Sequence, residues 1–158
     1  MGCLDSWTFM PLAGGGYTLM DWADFSRLGH LPWRRGTRGY VKREEMVRYQ
    51  RSSYGLHRTI MGLPKGDRRE VDHINRDPLD NRRGNLRVCT HAENGQNVGA
   101  IGGTSKHRGV SFCKQTGRWR AHVYLNGKQN QLGRFDTEDE AAEVAREFRR
   151  TNMPFAEV

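Results

Sequence analysis

Asp72 and His73 stand side by side in the stretch Val71-Asp72-His73-Ile74-Asn75, and Asn85 and Asn94 follow soon after. A carboxylate, an imidazole and two amides in this order suit a one-metal site that cleaves phosphodiesters. Hydrolysis at neutral pH needs an activated water, neutralisation of the phosphoryl charge and help for the departing oxygen. A divalent metal acting as a Lewis acid supplies the last two. Asp72 offers a hard carboxylate oxygen and Asn94 an amide oxygen, both suited to Mg²⁺. His73, a neutral imidazole with an ordinary pKa of about 6.5, suits a general base. Asn85 can bond the loop backbone and hold His73 in register. Neighbours in a strand face opposite ways, so Asp72 and His73 can share a site only where the strand bends or ends.

The elements around these residues give them positions. Arg69 to Ile74 reads as a strand, Asn75 to Asn85 as a long polar loop, and Leu86 to Cys89 as a second strand. Thr90-His91-Ala92-Glu93 is a capping-box pattern, which predicts a helix carrying Asn94 and Asn97 and stopping near Gly99. Upstream, Thr8–Leu12 and Tyr17–Met20 flank three glycines as a short hairpin, and Asp21–Leu28 suits a helical turn or two. Trp33–Tyr49 reads as a basic hairpin turning at Gly36-Thr37-Arg38-Gly39. Gly55–Leu63 has helical spacing, closed by Pro64-Lys65-Gly66-Asp67. Val98–Ser105 is a linker by composition.

Charge names the partner. The net charge is +8, but Arg27 to Arg134 holds 23 Lys or Arg against 8 Asp or Glu. Such one-sided blocks face an anion, and nucleic acid fits best. Hydrophobic content of 35 % in 158 residues is lean for one large core and favours small modules in series. Cys3, Cys89 and Cys113 form no C-x-x-C pair, so neither a disulfide framework nor a structural zinc is expected. No apolar run approaches bilayer length. Met1-Gly2-Cys3-Leu4-Asp5-Ser6 formally fits a lipidation pattern, but one common by chance. The chain reads as cytosolic and monomeric, since no heptad marks a dimer.

Val71-Asp72-His73-Ile74-Asn75, Leu79-Asp80-Asn81-Arg82-Arg83, Asn85-Leu86-Arg87-Val88-Cys89-Thr90 and Glu93-Asn94-Gly95-Gln96-Asn97 closely resemble the HNH endonucleases of phage and mobile introns. Leu56-His57-Arg58-Thr59-Ile60-Met61-Gly62 is similar to a segment those proteins also carry. The resemblance implies a β-β-α metal fold, with His73 as general base, Asp72 and Asn94 as metal ligands and Asn85 as the central structural asparagine. Asn94 departs from the histidine that gives the family its last letter, although similar homing enzymes of phage introns use asparagine there. An amide oxygen is a weaker ligand than a carboxylate, so a need for millimolar Mg²⁺ or Mn²⁺ is expected. His57 and His91 read as packing or surface residues.

After the linker, Arg108–Lys114, Arg118–Leu125 and Lys128–Phe135 read as three strands, with a hairpin signal at Asn126-Gly127. In the middle strand Trp119, Ala121, Val123 and Leu125 share one face, and Arg118, Arg120, His122 and Tyr124 the other. Thr137-Glu138-Asp139-Glu140 opens a helix to about Arg150, whose Ala141, Val144, Ala145 and Phe148 should cover the apolar face. The polar face, joined by Ser111, Lys114, Gln129, Gln131 and Arg134, could read a DNA major groove. Arg108-Gly109-Val110, Gly117-Arg118-Trp119-Arg120-Ala121, Leu132-Gly133-Arg134-Phe135-Asp136-Thr137 and Glu140-Ala141-Ala142 resemble the Apetala-type DNA-binding domain of plant ethylene-response factors.

The expected class is α+β in small modules: a β-β-α metal nuclease core, then a three-stranded antiparallel sheet with one helix. Residues 1–54 form a basic β-rich module whose fold the sequence does not name; 55–99 form the nuclease module, 100–105 the linker and 106–158 the Apetala-type domain. The function expected is metal-dependent cleavage of double-stranded DNA, homing in type, nicking, and leaving 5′-phosphate and 3′-hydroxyl ends. Arg82, Arg83, Arg87, Asn97 and Arg108 join the polar sheet face as DNA contacts. The alternative is a sequence-specific DNA-binding protein with an inactive nuclease site. A lack of exposed stacking aromatics argues against RNA or single strands as substrate.

Overall fold

The computed structural model describes residues 6–99 and 103–156; residues 1–5 of the lipidation pattern and residues 100–102 of the linker lie outside them. The class is α+β, as expected, and the chain divides into two compact units, Met1–His91 and Ala92–Val158.

In the first unit, β1 (Trp7–Pro11) and β2 (Tyr17–Asp21) form an antiparallel hairpin, followed by α1 (Trp22–Leu28). Next comes a three-stranded sheet in the order β3 (Arg34–Arg35), β4 (Val41–Val47) and β5 (Gln50–Gly55), leading into α2 (Leu56–Ile60). The pair β6 (Glu70–His73) and β7 (Leu86–Cys89) closes the unit, with a 3₁₀ turn at Arg83–Asn85 between them.

These pieces share one core. Met10, Leu12, Met20, Leu28, Trp33, Val41, Leu56, Ile60, Val71 and Leu86 are buried together, so residues 6–54 pack with the β6–β7 segment. Trp33 is 1 % exposed, donates its indole N–H to the Leu28 carbonyl at 2.9 Å, and lies under the Arg43 guanidinium.

The strand β5 was not anticipated. Val47 pairs with Gln50 across the two-residue turn Arg48-Tyr49, with φ of 49° and 67°. Left-handed backbone costs an L side chain about 1–2 kcal/mol, so nothing in Arg-Tyr signals this turn. Asn126-Gly127, with φ of 53° and 75°, makes the same reversal with residues that tolerate it.

The second unit holds β8 (Val110–Cys113), β9 (Arg118–Leu125) and β10 (Lys128–Phe135), with β9 central, and the helix α4 (Glu138–Asn152). Thr137 caps α4 through a reciprocal capping box with Glu140. Val110, Ala121, Val123, Ala141, Ala142, Ala145 and Met153 form its core, so α4 covers the expected face of β9. Before them α3 (His91–Asn94) is a single turn rather than a helix to Gly99. Gly95 interrupts it, and Arg108 donates to the Gln96 and Gly95 carbonyls there.

Candidate active site

β6 ends at His73, and the loop after it is cross-braced by amides and carboxylates. Asn85 Oδ1 accepts from the Asn75 N–H at 3.0 Å, and its Nδ2 donates to Asn75 Oδ1 at 2.9 Å and the Asp80 carbonyl at 2.8 Å. The Ile74 N–H donates to the Asn85 carbonyl at 2.9 Å. Asn85 thus ties both ends of the loop together beside His73. The β1–β2 hairpin adds a second brace: the Leu19 N–H donates to the Leu79 carbonyl, and the Asn81 N–H to the Leu19 carbonyl.

His73 is 4 % exposed, against the rings of Tyr40 and His57 at centroid distances of 5.7 and 5.4 Å. Its Nε2 lies 3.4 Å from Asn81 Oδ1. Asn81 Nδ2 donates to Thr18 Oγ1 and to the Pro78 carbonyl, which turns Oδ1 toward His73. An acceptor there favours the tautomer with the ring proton on Nε2, which puts the basic lone pair on Nδ1. Burial pushes the His73 pKa below its ordinary value, while Asn81 and the carboxylates of Asp72, Asp77 and Asp80 oppose the shift.

His57, set aside in the sequence, belongs to this cluster, as do Tyr40 and Asn81. Only folding brings these residues beside His73. Burial, with the charges of His73 and Arg58, lowers the His57 pKa to about 4. Because both folded-state values are depressed, the folded unit binds fewer protons than the unfolded chain below pH about 6.5. Stability is therefore full above that pH and is lost as pH falls toward about 4. Unfolding free energies from urea titrations at about pH 7.5 and about pH 5 should differ by on the order of 1–2 kcal/mol, and His57→Gln should narrow that gap. A gap unchanged by that substitution would remove His57 as its source.

Asp72 stands one residue before the end of β6. It is 7 % exposed, and its Oδ2 accepts from Arg87 Nε at 2.9 Å and Nη2 at 2.6 Å across the strand pair. Arg82 grips Asp80 bidentately at 2.8 and 2.7 Å. Arg83 grips Asp24 at 2.7 and 2.9 Å and also donates to the Ile60 carbonyl. Burial would raise the Asp24 pKa, but Arg83 and Arg27 hold it low. Arg82, Arg83 and Arg87, three of the arginines expected on DNA, are thus each tied to a carboxylate. His91 is exposed, with Nδ1 2.8 Å from Glu70 Oε1.

A hard carboxylate at Asp72 fits a divalent metal, although Arg87 holds one of its oxygens. Among the described residues no group of three or more His, Cys, Asp or Glu side chains could hold a metal. Mg²⁺ commonly uses one or two carboxylates plus substrate phosphate, so the donor chemistry still suits it. Asn94 is half-buried and falls in the second unit.

In that unit the polar face of β9 is assembled as the alternation predicts. Ser111, Arg120 and Arg134 lie in one row across the three strands, followed by His122 beside Gln131 and Tyr124 beside Gln129. Arg118 pairs with Asp136 at 3.0 Å, Lys114 is exposed, and the His122 and Tyr124 rings meet edge-on at 6.0 Å. Asn97 is buried and Arg108 is engaged with backbone carbonyls, which sets both apart from this open face.

The expectation that stacking aromatics are absent is overturned: Trp7, Phe9, Tyr17, Trp22, Tyr49 and Tyr124 are all exposed. Burial alone separates these rings from core ones, and local sequence does not encode it where short strands alternate.

Residues 54–96 match the HNH endonuclease family and residues 105–152 the AP2 domain. Protein 3.8 of Escherichia phage T7 is 33 % identical over 95 residues, 60 % of this chain and 77 % of that protein. An HNH endonuclease of Acanthamoeba polyphaga mimivirus is 26 % identical over 148 residues, covering 89 % of this chain and 74 % of that protein. The APETALA2-like protein 2 of Oryza sativa subsp. indica is 51 % identical over 39 residues, 25 % of this chain. The chain spans only 9 % of that plant protein's length. No solved structure matches significantly. No helix among the described residues is long and apolar enough to cross a membrane. With the phage relative covered over most of its length, this chain belongs to the HNH endonuclease family and carries an AP2 domain after its HNH segment.

Proposed function

We propose that the protein is a metal-dependent endonuclease of the homing type that nicks double-stranded DNA. The observation that carries the reading is His73, a neutral imidazole oriented by Asn81 at the end of β6, in a loop held by Asn85. His73 takes the proton of the attacking water at Nδ1. Asp72 would hold the metal, which when bound supplies Lewis-acid stabilisation of the phosphoryl charge, and Asn94 is the second ligand that the family resemblance implies. Asn85 keeps the loop in register. The nuclease module is residues 55–99 and the DNA-binding module 106–158, whose Ser111, Lys114, Arg118, Arg120, His122, Tyr124, Gln129, Gln131 and Arg134 face the duplex. A single general base supports one strand cut per visit. The protein acts as a monomer in the cytoplasm of a bacterial or phage-infected cell.

Supercoiled plasmid incubated with the protein should give open circles before linear product, with ends that a ligase reseals directly. Chelator should stop the reaction, and Mg²⁺ or Mn²⁺ should restore it; full activity in chelator would sink the metal requirement. The Asp72–Arg87 pair favours a second reading, a DNA-binding protein whose nuclease site is silent. That reading wins if wild type and His73→Ala are equally inert in every divalent metal.

A further inference from the structure

The β4–β5 hairpin precedes the matched HNH segment, and its tip is built unlike an ordinary turn. Met46, Val47 and Tyr49 are exposed, Tyr49 by 99 %, and Arg48 and Gln50 beside them are exposed as well. Arg48 and Tyr49 both occupy left-handed backbone, which Asn-Gly adopts with ease elsewhere in this chain. A turn needing only to reverse the chain gains nothing from two bulky side chains held there, and strain of this kind concentrates where side chains are used. The charge is one-sided. Glu44 and Glu45, nearest in sequence, are engaged deeper in the sheet by Arg34, Lys42, Arg51 and Arg43. Arg48 has no acidic partner among the described residues.

We infer that this tip is a second DNA-contacting element, separate from the AP2 domain: a two-stranded ribbon entering the major groove of duplex DNA. That groove admits such a ribbon, with guanine edges to accept from an arginine and thymine methyls to meet apolar groups. Arg48 supplies the donors, and Val47 and Tyr49 the apolar contact. The unit carrying the tip holds 16 Lys or Arg against 10 Asp or Glu, a net positive balance that complements the phosphates. The inference rests on the DNA reading above and adds a contact to it.

The test replaces the tip with the residues its backbone prefers, Arg48→Asn with Tyr49→Gly, in the full chain. Binding to a labelled mixed-sequence duplex is followed by fluorescence anisotropy across a salt series, beside thermal melting. The double variant should melt several degrees higher, yet bind about tenfold more weakly, with a salt slope smaller by about one. Arg48→Gln, which leaves the turn as it is, should weaken binding several-fold without the gain in melting temperature. Unchanged duplex affinity in both variants overturns the inference while leaving DNA binding intact. A loss confined to single-stranded DNA overturns the duplex assignment. A wild type that binds no duplex overturns the DNA reading, and this inference with it.

Discussion

A His73→Ala chain is expected to bind duplex DNA as the wild type does and to nick supercoiled plasmid about a hundred- to ten-thousandfold more slowly. The two effects separate because His73 is 4 % exposed and neutral, so it offers DNA no charge. What the substitution removes is the lone pair on Nδ1. Asn81 fixes that tautomer only because its own Nδ2 is committed to Thr18 and Pro78. Asn81→Asp should therefore also slow cleavage, by favouring a protonated imidazole, and should move the pH–rate profile toward higher pH. A merely structural role for Asn81 would lower stability and leave that profile in place. His73→Gln fills the volume and serves as the folding control. Nicking by His73→Ala at the wild-type rate, with metal present, would end the general-base assignment.

Trp33→Ala should destabilise the first unit by about 3–5 kcal/mol, the range for deleting a buried large aromatic. Trp33 is 1 % exposed at the centre of a core that draws on β1, β2, β4, α2, β6 and β7. Its loss also leaves the Leu28 carbonyl without its donor and Arg43 without one of its two rings. Because His73 and Asn85 are braced by the same unit, cleavage should fail at temperatures where the second unit is still folded. Urea unfolding followed by circular dichroism measures the shift. A change below about 1 kcal/mol would mean that residues 6–54 pack loosely on the nuclease segment.

The readable elements carry strong local signals. The alternation of β9, the Asn-Gly turn and the Thr137–Glu140 capping box all appear where the pattern places them. In each, the residues that specify the conformation are the ones that adopt it. The strand β5 has no such signal, because Arg48-Tyr49 is held in its turn by the flanking strand pairs rather than by its own preference. The one-turn α3 failed for a related reason, since a capping pattern starts a helix but cannot keep it going past Gly95. The arginines show a different limit. Residue type marks Arg82, Arg83 and Arg87 as cations, but their partners Asp80, Asp24 and Asp72 are a matter of proximity in space.

By itself the sequence determined the chemistry on offer: Asp72, His73, Asn85 and Asn94 in order, the basic balance, and the polar face of β9. Those follow from residue identity and short periodicity. The tertiary structure decided that residues 6–54 share a core with the nuclease strands. It also set His73 among Tyr40, His57 and Asn81, turned Asp72 toward Arg87, and left a ring of tyrosine at a strained tip. Burial, partner choice and tautomer depend on which distant segments come together, and no spacing along the chain encodes that.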